Sequence, residues 1–235
     1  MIDLHCHLAI GVDDGPQTLE ESRALAIGLK NAGVTHVACT SHLRRDKNWL
    51  NQRSRQNSIH RELDHCLALE GPIRVPGAEH YLDESLLSAC LHAQVVPYGN
   101  SNWILVELPY QIEPPFLFQT LFRIRMAGYR LILAHIERYP YIHQHSEKLA
   151  YLLNSGYLLQ VNLGSFSGAY GKDYQLTAHK LLQNQQVSLV ASDCHRADDV
   201  EPFLVEGLKA LRKKASRSQF EQLTLEQPSQ ILENL

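Results

Sequence analysis

The sequence predicts an α/β fold, a TIM-like barrel with seven parallel strands. Short β-branched runs alternate with helical stretches, which implies right-handed βαβ units and a parallel sheet. Each run delivers a polar residue at or near its C-terminal end. Seven strands feeding one rim is the arrangement of a barrel with its site on that face, whereas an open sheet would gather such residues at one switch point. The chain has 235 residues, a usual length for an α/β barrel built as one unit. One domain over residues 1–235 is expected.

The seven expected strands are Ile2–His5, Thr35–Thr40, Ile73–Glu79, Trp103–Leu108, Arg130–His135, Tyr157–Asn162 and Val187–Asp193. The first helix is the best marked, with Thr18 as its cap, Glu21 completing a capping box and Gly33 at its end. Further helices are expected over Asp46–Leu69, Pro114–Ala127, Ser146–Asn154, Leu176–Gln186 and Val200–Ala215. Pro76 removes a ladder donor from the third run, so that strand should be short, edge-like or bulged.

The net charge of −3 argues against general nucleic-acid or anionic-membrane binding. The 5 cysteines are odd in number and form no C-x-x-C pair, the pattern of reduced thiols in the cytoplasm. Met1 leads into Ile2 with no basic stretch followed by an apolar one, so no signal peptide is expected, and no apolar run is long enough to cross a membrane.

There are 13 histidines, and several sit beside acidic residues at the ends of apolar runs. His5-Cys6-His7 places two imidazoles on one side of a strand, and Asp193-Cys194-His195 repeats the spacing at the last strand. Either pair alone is more often coincidence than chelation. Asp14 in an acidic turn, His42, Glu79, Glu107 and His135 add to them. Each of these taken singly could be a satisfied core group, but several converging on one rim are hard to read that way, because a buried unpaired charge is costly. Asp14, Glu79, Glu107 and Asp193 would repel one another without cations. Three divalent ions would turn that into an excess of about +2, matched to a phosphate dianion, a simple charge balance. The mixed N/O donors fit manganese, iron or zinc better than magnesium or a structural zinc.

The stretches Met1–His7, Val12–Pro16, Thr40–His42, Gly77–Glu79, Ala134–Tyr139 and Ala191–His195 keep their order along the chain. Together they resemble the PHP superfamily (polymerase and histidinol phosphatase). Within it, the chain is similar to the bacterial capsule-associated tyrosine-protein phosphatases of the CpsB/YwqE type. Asp-Asp-Gly-Pro and His-Ile-Glu-Arg-Tyr carry more of the likeness than the His-x-His pairs. The resemblance implies a distorted seven-stranded barrel. It implies a three-metal centre, usually manganese, held by His5, His7, Asp14, His42, Glu79, Glu107, His135, Asp193 and His195, with Arg138 on the substrate phosphate. It also implies a phosphotyrosine protein as partner, the tail of a bacterial tyrosine kinase that regulates capsular or exopolysaccharide synthesis. Arg44 and Arg45 follow His42, with Leu43 intervening, and are candidates for a basic substrate-facing rim; a solvated charge run is an equal reading.

Two rivals remain. A histidinol-phosphate or other small-molecule phosphoesterase would share the ligand set. Cys39 to Arg45 also satisfies C-x5-R, the spacing of cysteine-dependent phosphatases. That route needs a phosphate-cradling loop at a helix N-terminus. Thr40–Arg44 has no glycine, and Cys39 lies within a strand run.

Overall fold

A computed structural model of the chain describes residues 1–43, 58, 61, 63 and 71–232. Arg44, Arg45 and most of the expected helix Asp46–Leu69 lie outside the described residues.

The described chain is an α/β fold with parallel sheets. It has nine strands: β1 Ile2–Cys6, β2 His36–Cys39, β3 His42–Leu43, β4 Ile73–Pro76, β5 Glu79–Tyr81, β6 Trp103–Glu107, β7 Arg130–Leu133, β8 Leu158–Asn162 and β9 Leu189–Ala191. They form two sheets, in the orders β1-β2-β4 and β3-β5-β6-β7-β8-β9, and every pairing is parallel. This corrects the expectation of one closed barrel of seven strands. The extra strands arise where the chain jogs from one sheet to the other. After β2 the backbone bends at Thr40-Ser41 and resumes as β3. After β4 it bends at Gly77-Ala78 and resumes as β5. Close packing sets the second jog, because a Cβ on Gly77 would lie 3.2 Å from the Tyr98 ring and 3.3 Å from Thr40. Pro76 ends β4, which pairs only with β2 at a sheet edge, where a missing N–H costs no ladder bond.

On the other side, β1 and β9 share no continuous ladder. They meet through one bridge, Cys6 with Cys194, and through two neighbouring amides. Asp193 N donates to His5 O at 2.8 Å, and His7 N donates to Cys194 O at 3.0 Å. The Asp3 carboxylate takes over one acceptor position from the backbone, receiving the Ser192 N–H at 3.0 Å.

Both faces of the central strands are buried, which is why they read as apolar runs rather than alternating ones. Period-2 alternation sends Ile104 and Val106 of β6 into the core that packs against the helices. Trp103 and Leu105 go to a smaller interior core shared with Ile2, Leu4 and Ile132 and plugged by Ile231 of the last helix. Continuing that interior face, Glu107 follows Leu105 on β6, and Gln160 and Asn162 follow Leu158 on β8. The polar ends of the interior face therefore sit one layer above an apolar floor.

Helix α1, Leu19–Asn31, has the expected capping box. Glu21 N donates to Thr18 Oγ1 at 3.2 Å, and Thr18 N donates to Glu21 Oε2 at 3.2 Å. Gly33 follows with φ +89°. The helix expected from Pro114 begins only at Leu117, because Phe116 holds a left-handed φ of 59°. The helix Ser146–Asn154 is as expected, and the one expected at Leu176–Gln186 runs Lys172–Gln183. The helix expected over Val200–Ala215 opens with a π-helical turn, Val200–Val205, before the α-helix Glu206–Lys214. The short helices Leu86–Leu91, Leu163–Ser167, Arg217–Glu221 and Gln227–Leu232 carry too little period-3.6 pattern to have been expected.

Gly207 explains how the Glu206–Lys214 helix docks. A Cβ there would lie 2.5 Å from Leu163 O and 2.6 Å from its carbonyl carbon. Because the obstacle is backbone, a side chain cannot move aside. Gly207→Ala is expected to destabilise the protein by about 1–3 kcal/mol, despite the higher helix propensity of alanine. Thermal unfolding followed by circular dichroism should then show a midpoint several degrees lower; an unchanged or raised midpoint would refute this account of the packing.

A candidate metal centre at the strand ends

The nine residues expected at the centre come from seven places in the chain, and the structure gathers all of them. Their ligand atoms fall into four overlapping groups, each with its atoms within 4.8 Å of one another. These are His7, Asp14, His42 and His195; His5, His7 and Asp193; His5, Glu79 and His135; and His42, Glu79 and Glu107. Strand ends supply most of them. His5 lies in β1, His42 opens β3, Glu79 opens β5 and Glu107 closes β6. The ladder register aligns two of these, since His42 is the β3 partner of Glu79.

His135 and Asp193 sit just beyond β7 and β9 with φ of 33° and 55°. Left-handed backbone is disfavoured for a residue with a Cβ. Both residues turn off the strand there, so the chain holds strained conformations at two of the points where it presents a candidate ligand. A bulge does similar work in β1, where the register shifts between Asp3 and Cys6. His5 and His7 face the cluster, while Cys6 packs into the helix-side core.

Glu79 is buried at the middle. Its carboxylate lies 2.9 Å from His42 Nδ1, 3.0 Å from His135 Nε2, 3.4 Å from His5 Nε2 and 3.6 Å from His7 Nε2. Asp193 lies 3.2 Å from His5 Nε2 and 3.5 Å from His7 Nε2. Asp14, the most exposed member, reaches His195 Nε2 at 3.4 Å and His42 Nε2 at 3.8 Å.

A relay behind these groups fixes which nitrogen points inward. Asn162 Nδ2 donates to Asp193 Oδ2 at 2.7 Å, and Gln160 Nε2 donates to Asn162 Oδ1 at 2.7 Å. Gln160 Oε1 must then accept, and it does so from His135 N at 2.9 Å and His5 Nδ1 at 3.1 Å. His5 Nδ1 therefore carries hydrogen and Nε2 faces the cluster. The Asp13 carboxylate, 2.7 Å from His7 Nδ1, fixes that ring the same way, and it also accepts from His42 N at 2.7 Å. The carbonyl of Asp193, 3.0 Å from His195 Nδ1, does so for His195. Tyr139 OH lies 3.0 Å from His135 Nδ1 and accepts from Leu108 N at 2.9 Å. Carboxylate or carbonyl backing of an imidazole is the usual support for a metal ligand. The sequence reading missed the roles of Asp13, Gln160 and Tyr139. Asp13 and Tyr139 stood inside the quoted motifs. Gln160 had one available signal, an amide in an otherwise apolar strand.

Electrostatics show what the cluster asks for. Burial opposes charge on His5, yet the Asp193 and Glu79 carboxylates outweigh it and push the imidazole up to about 10. Burial also opposes charge on His195, but its hydrogen bond to Asp14 and the nearby carboxylates raise it to about 9. Burial alone would raise Glu79, but His5, His135 and His42 hold it well below the usual carboxylate range. In the protein alone, protons on imidazoles balance the carboxylates; divalent cations could take over that balance. His42 Nδ1 is buried and satisfies no hydrogen-bond geometry, although Glu79 is near. An orphaned nitrogen aimed into a carboxylate cluster fits a cation site.

Asp14, His42, Glu79, Glu107, His135, Asp193 and His195 line a cavity of about 410 Å³, while His5 and His7 are fully buried. Arg138 enters it from the turn after β7, held among aromatic rings. Its Nε donates to Tyr110 OH, and its guanidinium carbon lies 4.7 Å from the Tyr110 ring centroid and 5.2 Å from that of Tyr170. Its Nη1 stands 3.8 Å from Asp193 Oδ2. Arg44 and Arg45 lie outside the described residues. Cys39 belongs to the buried helix-side core, not to the cavity lining, so the C-x5-R spacing brings no thiol to the site. Cys6 and Cys194 lie in the same core.

Comparison with known proteins accords with this arrangement. The chain is 29% identical to the tyrosine-protein phosphatase CpsB of Streptococcus agalactiae serotype V, covering 100% of this chain and 99% of the relative. It is 26% identical to the tyrosine-protein phosphatase YwqE of Bacillus subtilis strain 168, covering 91% of this chain and 85% of the relative. Its fold matches a solved structure from a study of YwqE from Bacillus subtilis and CpsB from Streptococcus pneumoniae, described as metal-dependent tyrosine phosphatases. The TM-score is 0.85 at 24% identity, over 100% of this chain and 95% of that one. The profile described as "Capsular polysaccharide synthesis, CpsB/CapC" matches residues 1–233. The chain therefore belongs to the CpsB/CapC family of capsular polysaccharide synthesis.

Proposed function

We propose that the chain is a metal-dependent protein-tyrosine phosphatase, a phosphoric monoester hydrolase of capsular or exopolysaccharide synthesis. The observation that carries this reading is the cluster of nine imidazoles and carboxylates with a guanidinium at its edge, in a chain whose full-length relatives are named tyrosine-protein phosphatases. Residues 1–235 would act as one catalytic unit.

The metal ligands in this reading are His5, His7, Asp14, His42, Glu79, Glu107, His135, Asp193 and His195. Four carboxylates and five imidazoles suit three divalent ions, and donors without thiolate favour Mn²⁺, with iron and zinc next. Bound there, such ions supply a Lewis acid for the phosphoryl oxygens and lower the pKa of water. The chain's own part is positional. Gln160, Asp13 and the Asp193 carbonyl aim the imidazole Nε2 atoms inward. Arg138 offers its Nη atoms to the equatorial phosphate oxygens, with Tyr110 holding Nε so that the fork cannot swing away. Arg44 and Arg45 remain candidates for a basic rim toward the peptide. A phenolate leaving group departs more readily than an alkoxide, so little protonation is needed. The natural substrate is a phosphotyrosine protein, and we favour a bacterial tyrosine kinase tail. Cytoplasmic localisation accords with the four described cysteines, all buried and outside any disulfide; among the described residues no helix is long and apolar enough to cross a membrane.

Chelation tests the reading directly. Treatment with EDTA should abolish hydrolysis of a phosphotyrosine peptide, and Mn²⁺ should restore it. The Mn²⁺-loaded protein should prefer that peptide to histidinol phosphate; the reverse preference would move the assignment to a small-molecule phosphoesterase, and loss of no activity on chelation would end the metal reading.

Arg138→Ala should lower kcat/KM by about 10²-fold, the scale of one lost transition-state donor. Metal content by elemental analysis should not change, and wild-type turnover in that variant would remove Arg138 from the mechanism.

Metal uptake should also depend on pH. His5 and His195 are raised to about 10 and about 9 in the protein alone, so near neutral pH an arriving cation must displace their protons. Mn²⁺ affinity should therefore climb as pH rises from 6 to 8, roughly tenfold per unit for each proton displaced. Calorimetric titration in buffers of different ionisation enthalpy would measure the release; pH-independent affinity with no proton release would contradict it.

A further inference from the structure

The cavity lining is charged or imidazole-bearing except for an aromatic wall of three rings around Arg138, the packed pair Tyr170 and Phe203 together with Tyr110. We propose that this wall is the specificity-determining surface of the site. It would receive the aromatic ring of the substrate while Arg138 and the cluster hold the phosphate. The proposal deepens the tyrosine-phosphatase reading and rests on it.

The wall is built from separate parts of the chain, and each part is fitted to it. Tyr170 and Phe203 pack together with ring centroids 4.7 Å apart, tilted by 35°. Gly164 makes room for both, since a Cβ there would lie 2.8 Å from Tyr170 Cε2 and 3.2 Å from Phe203 Cδ1. Phe203 is delivered by the π-helical turn Val200–Val205, a local distortion that recurs where a helix serves a site. Tyr110 comes from the loop after β6 and stacks edge-on against Tyr139, 6.0 Å between centroids. All three rings are only part-buried, so they keep surface open to the cavity. Arg138 lies between Tyr110 and Tyr170. A phosphate on its fork would therefore place the next atoms of the ester beside the rings. An aryl group gains contact and ring–ring attraction there. A short alkyl chain such as that of phosphoserine has no ring to offer.

Non-hydrolysable phosphonates separate recognition from catalysis. Calorimetric titration of the Mn²⁺-loaded protein should show benzylphosphonate binding more tightly than ethylphosphonate. Tyr170→Ala and Phe203→Leu should each shrink that preference, by roughly three- to tenfold for a lost aromatic pair, with metal content retained. Tyr170→Phe should preserve it, because the ring stays. If the wall served only to hold Arg138, both phosphonates would weaken equally and the ratio would stand; that result, or a wild type with no aryl preference, would overturn the proposal. Failure of the underlying reading looks different. In that case the aryl preference would track Tyr170 while the Mn²⁺-loaded protein left phosphotyrosine peptide uncleaved.

Discussion

The site is organised around a buried carboxylate that cannot stand alone. Glu79 is 1% exposed, and four imidazoles lie within 3.6 Å of its oxygens. A carboxylate so far from water needs positive charge or protonation. The fold answers by bringing β1, β3 and the turn after β7 against β5. Moving any one of these strands would leave a charge uncompensated. The jogs at Thr40-Ser41 and Gly77-Ala78 follow from the same demand: they carry His42 and Glu79 out of the three-stranded sheet and into register with each other.

Behind that centre, the support is nearly all acceptor-driven. Asp193 accepts only, so Asn162 must give its amide, Gln160 must give its own to Asn162, and the Gln160 oxygen must take hydrogens from His5 and His135. One carboxylate thereby sets the polarity of the whole chain of amides and the tautomer of an imidazole three hydrogen bonds away. Asp13 works alike on the opposite flank, joining His7 to the amide of His42. Such fully satisfied buried networks hold groups rigidly in place.

Much of the centre was legible because metal ligands are ionisable residues in apolar surroundings, and such residues stand out in a sequence. His135 at the end of Leu-Ile-Leu-Ala, or Glu107 after Ile-Leu-Val, has no cheap alternative to a partner. The supporting residues stood out less. Gln160 is neutral, and Tyr139 resembles any core tyrosine. The aromatic side of the cavity was illegible, since Tyr170 and Phe203 are unremarkable until the fold brings them together. Strand count failed for a related reason. Thr35–Thr40 and Ile73–Glu79 each read as one strand, His42-Leu43 is too short to read as another, and a jog between two sheets leaves no mark in period-2 pattern. The short C-terminal helices Arg217–Glu221 and Gln227–Leu232 were missed because their stability comes from docking, as where Ile231 enters the interior core, rather than from local propensity.

The seam between β1 and β9 has a bearing on biosynthesis. Cys6 and Cys194 are 188 positions apart, and they join the first strand to the last through a single bridge. Two members of the cluster, His5 and His7, flank Cys6 near the start of the chain, and two, Asp193 and His195, flank Cys194. A nascent polypeptide still emerging from the ribosome thus holds only fragments of the centre until its last strand is released. Closure over so long a span is entropically late. Any premature stop before Asp193 would yield a product without a complete set of donors.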